Sequence, residues 1–229
     1  MADAAPFRIV FAIYPGMTHL DFTGPHQFLS RTPNSVTIVA SPAGGDVEAD
    51  GLVFARTVKL SDVEGCDLIC VPGGLAATVV AQDRAFIAEL QRLAKGAKYI
   101  TSVCTGSLIL GAAGLLQGKR AACHWAWREM LPLFGAIVDE GRVVRDGNVI
   151  TGGGVTAGID FALTVLAEIA GEKVAQTVQL GLEYAPSPPF NSGRPELASP
   201  DVLAGFEKLR AKMMDQRRAE AEVAAGMMD

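Results

Sequence analysis

Apolar and polar residues follow one another along this chain in blocks whose lengths fit strands and helices in turn. Residues 7–14 (FRIVFAIY) form an unbroken apolar run of strand length, ended by Pro15-Gly16, the pattern of a strand covered on both faces. Residues 36–40, 52–55 and 68–71 predict three more strands, and 99–103 (YITSV) a buried one. Helical spacing appears at 83–94, where Phe86, Leu90 and Leu93 share one side, and again from Thr105 through Leu108, Ile109, Ala112 and Leu115. A further helix is predicted over 125–133. Asp146-Gly147 between β-branched flanks predicts a hairpin over 143–150. A long apolar helix follows over 156–170, and a charged one over 201–225 with Val202, Phe206, Leu209 and Met213 at three- and four-residue intervals.

Strands alternating with helices predict an α/β fold whose mostly parallel sheet carries helices on both faces. Sites in such folds form at the carboxyl ends of the strands. Three segments end there with chemistry on them: the loop and helix start around Asp21, the Pro72-Gly73-Gly74 turn after a buried strand, and Cys104. Residues 184–200 (YAPSPPFNSGRPELASP) are too rich in Pro and Ser for a regular element. Because they hold Tyr184 and Phe190, they read as an ordered strap over this subunit or a partner. One domain over 1–229, with 184–229 as strap and C-terminal helix, is the expected organisation.

Composition narrows the function classes. A net charge of −5 gives no support for nucleic-acid binding, and no apolar run approaches a membrane span. The amino terminus lacks the basic and apolar segments of a signal peptide, so a cytoplasmic protein is expected. The four cysteines, Cys66, Cys70, Cys104 and Cys123, form no C-x-x-C pair, and three histidines add no plausible zinc set. Free thiols in a reducing compartment fit this usage.

Cys104 stands where the strand over 99–103 turns into the next helix, the geometry of a nucleophile elbow. The free N–H groups and partial positive charge of a helix start favour a thiolate and can hold a developing anion. A small buried hydrophobe is the competing reading of the same cysteine. Asp21 reads either as a helix cap, with Thr23 as the other candidate and Pro25 in the first turn, or as an acid/base carboxyl beside the thiol. Gly73 and Gly74 read as a plain turn, or as one half of an oxyanion-type hole completed by the Thr105 N–H. Gly152-Gly153-Gly154 fits neither nucleotide-loop pattern and reads as room for close backbone approach. No histidine follows Cys104, and His124 reads as a partly buried structural residue.

YITSVCTGSLILGAAGLLQGKRAACHWAW, LDFTGPH, CVPGG, RVVRDGNVITGGGVTAGIDFAL and LGLEYAPSPPFNSG together resemble the isocyanide hydratases, in the PfpI-like branch of the class I glutamine amidotransferase-like superfamily. The resemblance runs from Phe11 to the C-terminal helix. It implies a flavodoxin-like three-layer sandwich, a homodimer, a small isocyanide substrate and no cofactor. It places the catalytic cysteine at Cys104 and the catalytic aspartate at Asp21, with Thr105 and Gly153 near the substrate. Protease-like relatives carry His after the nucleophile and Glu in place of Asp21, and this departure counts against peptidase or deglycase activity. The chain is also similar to the sensing domain of AraC-type regulators, through S-V-C-T-G and A-x-x-H-W. That gives a second reading, a ligand- or redox-sensing domain without catalysis. Only a short charged helix follows the strap here, which disfavours DNA binding.

Overall fold

The structure, a computed structural model, describes residues 5–228. Its strands are β1 (Phe7–Ala12), β2 (Ser35–Ser41), β3 (Gly45–Ala49), β4 (Leu52–Lys59), β5 (Leu68–Val71), β6 (Tyr99–Val103), β7 (Arg120–Ala121), β8 (Ile137–Val138), β9 (Val143–Asp146) and β10 (Val149–Gly152). Its helices are α1 (His19–Leu29), α2 (Ala77–Val80), α3 (Arg84–Ala94), α4 (Gly106–Ala112), α5 (Ala157–Ala170), α6 (Glu172–Gly181) and α7 (Pro200–Ala225). Eight strands form one sheet in the order β3-β4-β2-β1-β5-β6-β10-β9. Pairing is parallel from β4 through β10, and antiparallel where β3 and β9 close the two edges.

The strand order explains the layers. The chain steps from β1 to β2 in one direction along the sheet, and from β5 to β6 in the other. Right-handed crossovers therefore send α1 to one face and α2–α3 to the opposite one. Accordingly α1 packs with α5, and α5 with α6, while α4 packs against α2, α3 and α7. The direction changes between β1 and β5, and a crevice at their carboxyl ends is the consequence. Strands β1 and β5 are the apolar runs of the sequence. Residues Ile9 to Tyr14 and Leu68 to Val71 are fully buried, as expected for strands covered on both faces.

The helix over 83–94 is present as α3, with Asp83 accepting N–H bonds from Ala85 and Phe86 as its cap. The hairpin is also present: Asp146 pairs with Val149 across Gly147-Asn148, and Gly147 has a φ of +65°. Residues expected to form a helix over 125–133 instead make a tight 3₁₀ segment, Arg128–Phe134. Pro132 within it has no N–H to continue an α-helix, and Gly135 ends it in the left-handed region. Helix α6 begins directly after Gly171, an element the apolar spacing did not announce.

The strap is irregular. Tyr184 packs edge-on to Phe28 at 5.8 Å and donates to Asp160 at 2.9 Å, whereas Phe190 is 81% exposed. Among the described residues no helix is long and apolar enough to cross a membrane.

Candidate active site

Cys104 follows β6 directly and has a φ of +58°, a region where a side chain crowds its own backbone. Its N–H is shared between the carbonyls of Gly152 (3.0 Å) and Gly153 (2.9 Å), and its carbonyl accepts from Ser107 Oγ at 3.0 Å. These bonds hold the strained residue at the junction and turn its side chain off the sheet. Gly106 is required two residues on, because a Cβ there would run into the carbonyl of Val71. Helix α4 can therefore start hard against the end of β5.

Asp21, the third residue of α1, does not serve as its cap; Thr18 occupies that position. The Asp21 side chain is completely buried. Its Oδ2 accepts from the Gly73 N–H at 3.1 Å, and the carboxyl takes a further hydrogen bond from the Cys104 thiol. Oδ1 has no partner of good geometry. Burial pushes the Asp21 carboxyl up to about 7, even though the thiol and the Gly73 N–H both pull it down. The carboxyl is thus held toward its protonated form.

The thiol is shifted as well, and against the expectation of a helix-start thiolate. The N–H groups of Val155 and Thr105 bond to Cys104 and favour its charged form, but burial and the neighbouring Asp21 outweigh them and push the thiol well up. Cysteine and aspartate therefore titrate as one unit that keeps a proton through neutral pH. Tyr14 stands beside the pair with its phenol donating to the Pro72 carbonyl at 3.0 Å. Burial, then Asp21 and Cys104, keep it neutral.

The Pro-Gly-Gly turn meets the elbow without forming the expected hole. The Gly73 N–H is taken by Asp21, and the Gly74 N–H donates to Thr105 Oγ1 at 2.8 Å. Thr105 Oγ1 in turn donates to the Gly74 carbonyl at 3.0 Å. These two glycines therefore position the carboxyl and lock the elbow, and the donors left facing the sulfur are Thr105 and Val155. A Cβ on Gly73 would overlap the Thr105 N–H and crowd Asp21 Oδ2 at 2.9 Å. Gly153 holds the Cys104 N–H through its carbonyl, while Gly154 lies against the His124 ring, where a Cβ would meet Cδ2 at 2.8 Å.

The chain matches the DJ-1/PfpI family over residues 7–168. It belongs to that family. An isonitrile hydratase of Pseudomonas putida is 45% identical over 223 residues, covering 97% of this chain and 98% of that one. The crystal structure of a ThiJ/PfpI family protein from Pseudomonas syringae superposes with a TM-score of 0.91 at 39% identity, over 97% of this chain and 91% of that one. The HTH-type transcriptional regulator CdhR of Pseudomonas aeruginosa is 32% identical over 61% of this chain but only 42% of its own length.

Around the DJ-1/PfpI elbow, three residues escaped the sequence reading. Cys123, which no motif singled out, lies near enough to Cys104 to raise its pKa, and is itself pushed up to about 12 by burial. Tyr14 lies at the end of the apolar run over 7–14, just beyond β1. Arg210, on α7, lays its guanidinium over Trp125, Trp127 and Phe206, where its charge is still felt by Cys104. His124 is partly buried, as expected; its Nδ1 accepts from the Ala126 N–H at 3.2 Å, and burial lowers its pKa to about 4. Among the described residues no three His, Cys, Asp or Glu side chains gather as a metal site would need.

Proposed function

We propose that this protein hydrates isocyanides, R–N≡C, to N-substituted formamides, with Cys104 as nucleophile and Asp21 as the proton carrier. The single observation that carries the chemistry is the buried thiol–carboxyl pair at the elbow. The near full-length similarity to an isonitrile hydratase supports the choice of substrate.

The terminal carbon of an isocyanide accepts a soft nucleophile. As the Cys104 sulfur bonds to it, Asp21 takes the thiol proton and delivers it to that carbon, giving the thioimidate R–N=CH–S–Cys. Asp21 then removes a proton from water as the water oxygen adds to the same carbon, and passes that proton to nitrogen, leaving a hydroxyl whose own proton goes to sulfur. The C–S bond breaks, the thiol is re-formed, and R–NH–CHO leaves. The sum is R–NC plus H₂O, with no oxidant or cofactor required. A carboxyl held near pH 7 suits both transfers, since it can be loaded and unloaded at little cost. The N–H groups of Thr105 and Val155 stabilise the sulfur whenever it carries charge.

The reading includes a cytoplasmic homodimer. In support, Leu180 on α6, Phe190 on the strap and Leu209 on α7 are each more than 80% exposed in the single subunit. The test is incubation with an aryl isocyanide while formamide is followed by NMR. Formamide should appear with the wild-type protein and be absent with Cys104→Ala; normal turnover by Cys104→Ala would overturn the mechanism.

A further inference from the structure

Asp21 meets the thiol because α1 begins in one particular place, and part of what fixes that place comes from the edge of the sheet. The turn between β3 and β4 is Asp50-Gly51, with φ of +51° and +78°, the pattern of a tight hairpin turn. This hairpin is tied to the loop between β1 and α1 at two points. The Gly16 N–H donates to the Glu48 carbonyl at 3.2 Å, and the His19 N–H donates to Asp50 Oδ2 at 2.8 Å. Thr18, at the cap position of α1, makes no side-chain cap. Asp50 thus brings, from another element, an acceptor for a helix-start N–H that has no partner inside the helix.

Asp21 stands two residues beyond His19. Its own N–H is held by the Thr18 carbonyl at 3.0 Å, and the Thr18 N–H by the Gly73 carbonyl at 2.9 Å. The first turn of α1 is therefore pinned from two sides, by the turn after β5 and by Asp50. Charge follows the same route, since the carboxylate of Asp50 favours the protonated form of Asp21. The other titratable groups around Asp21 are Tyr14 beyond β1, Cys70 on β5, Cys104 after β6 and Cys123 after β7, and burial raises all four, so that they keep their protons. On α1 itself the His19 ring meets Thr23, and the His26 ring packs on Phe11 and Phe22. Asp50 is the group in this set that brings a negative charge to the carboxyl from outside the buried pair.

We propose that Asp50 is a positioning residue for the hydration, holding the start of α1 so that the Asp21 carboxyl stays on the Gly73 N–H and the Cys104 thiol. Its charge acts in the same direction as burial, and helps Asp21 retain the proton it takes from the thiol until the isocyanide carbon receives it. The proposal rests on the hydratase reading above.

Two variants separate contact from charge. Asp50→Asn keeps an oxygen for the His19 N–H and removes the charge; Asp50→Gly removes both, and adds no strain at a positive φ. The Asp21 midpoint, read by ¹³C NMR of its carboxyl, should fall in both variants by roughly 0.3–0.5 pH unit at low salt, the effect of one partly screened charge. With an aryl isocyanide, kcat should fall at least threefold in Asp50→Gly with KM little changed, and stay within threefold of wild type in Asp50→Asn. A cap that served stability alone would lower the thermal melt and leave the midpoint in place. An unmoved midpoint in Asp50→Asn, or a kcat within threefold of wild type in folded Asp50→Gly, overturns the assignment; the Asp50→Asn midpoint decides alone if Asp50→Gly does not fold. The midpoint needs no substrate, so absence of turnover by the wild-type protein overturns the hydratase reading separately.

Discussion

The Gly73 N–H lies 3.1 Å from Asp21 Oδ2, and this bond fixes the carboxyl against Cys104. A residue that breaks a strand in the sequence thus aims the carboxyl of another element. Gly73 has no room for a side chain, because a Cβ would overlap the Thr105 N–H and press on Oδ2. Gly73→Ala should destabilise the fold by about 1–3 kcal/mol, the usual cost of overpacking. The loss of kcat should be larger, at least tenfold, because the carboxyl is displaced from the thiol. Steady-state kinetics beside urea unfolding checks both; a melt-only defect contradicts the positioning role.

Asp21 makes stability depend on pH. Its carboxyl is raised from 3.8 to about 7 in the folded protein, so between those values the native state holds a proton that the unfolded chain has lost. The contribution of Asp21 is greatest below the unfolded value and is lost as pH rises through 7. Asp21→Asn removes the dependence, and should gain on the wild type by on the order of 4 kcal/mol between pH 4 and pH 8. Urea unfolding of both proteins across that range measures it. A pH-independent difference contradicts the buried carboxyl.

Cys104 has a positive φ, which a glycine tolerates better than any residue with a Cβ. Both Cys104→Ala and Cys104→Gly should lose turnover. Of the two, the glycine variant should be the more stable, by about 1 kcal/mol, because it escapes the left-handed penalty. Thermal melts of the pair decide this, and equal stabilities contradict strain at the elbow.

Thr105 Oγ1 is both acceptor for the Gly74 N–H and donor to its carbonyl. Thr105→Val conserves shape and leaves both groups buried without their partner, at a cost of about 1–3 kcal/mol. Thr105→Ser, which keeps the hydroxyl, should recover most of it in the same unfolding assay.

Much of this arrangement was legible in the residues. Unbroken apolar runs made β1 and β5 plain, the Asp146-Gly147 signal made the β9–β10 turn plain, and the strand-to-helix change at Cys104 announced the elbow. Alternation of the elements then put Asp21, Gly73 and Cys104 at one edge. What local pattern could not supply was the direction of individual polar groups. Asp21 had two roles open to it, and only the packing of α1 against the turn after β5 takes it out of the cap position. The amides of Gly73 and Gly74 were available on paper and are occupied in three dimensions. The segment over 125–133 had helical spacing, but Pro132 tightened it. Arg210 left no signal, because a basic residue on a charged helix reads as solvated until α7 is seen to fold back over Trp125 and Trp127.

A ¹³C NMR titration of the aspartate carboxyl groups, with Asp21 assigned through Asp21→Asn, tests the shared proton most directly. The Asp21 midpoint should lie near 7, and should rise further in Cys104→Ala, where the thiol hydrogen bond that lowers it is gone. A midpoint near the ordinary 3.8, unmoved by loss of the sulfur, would contradict the coupled pair and the proton transfers built on it.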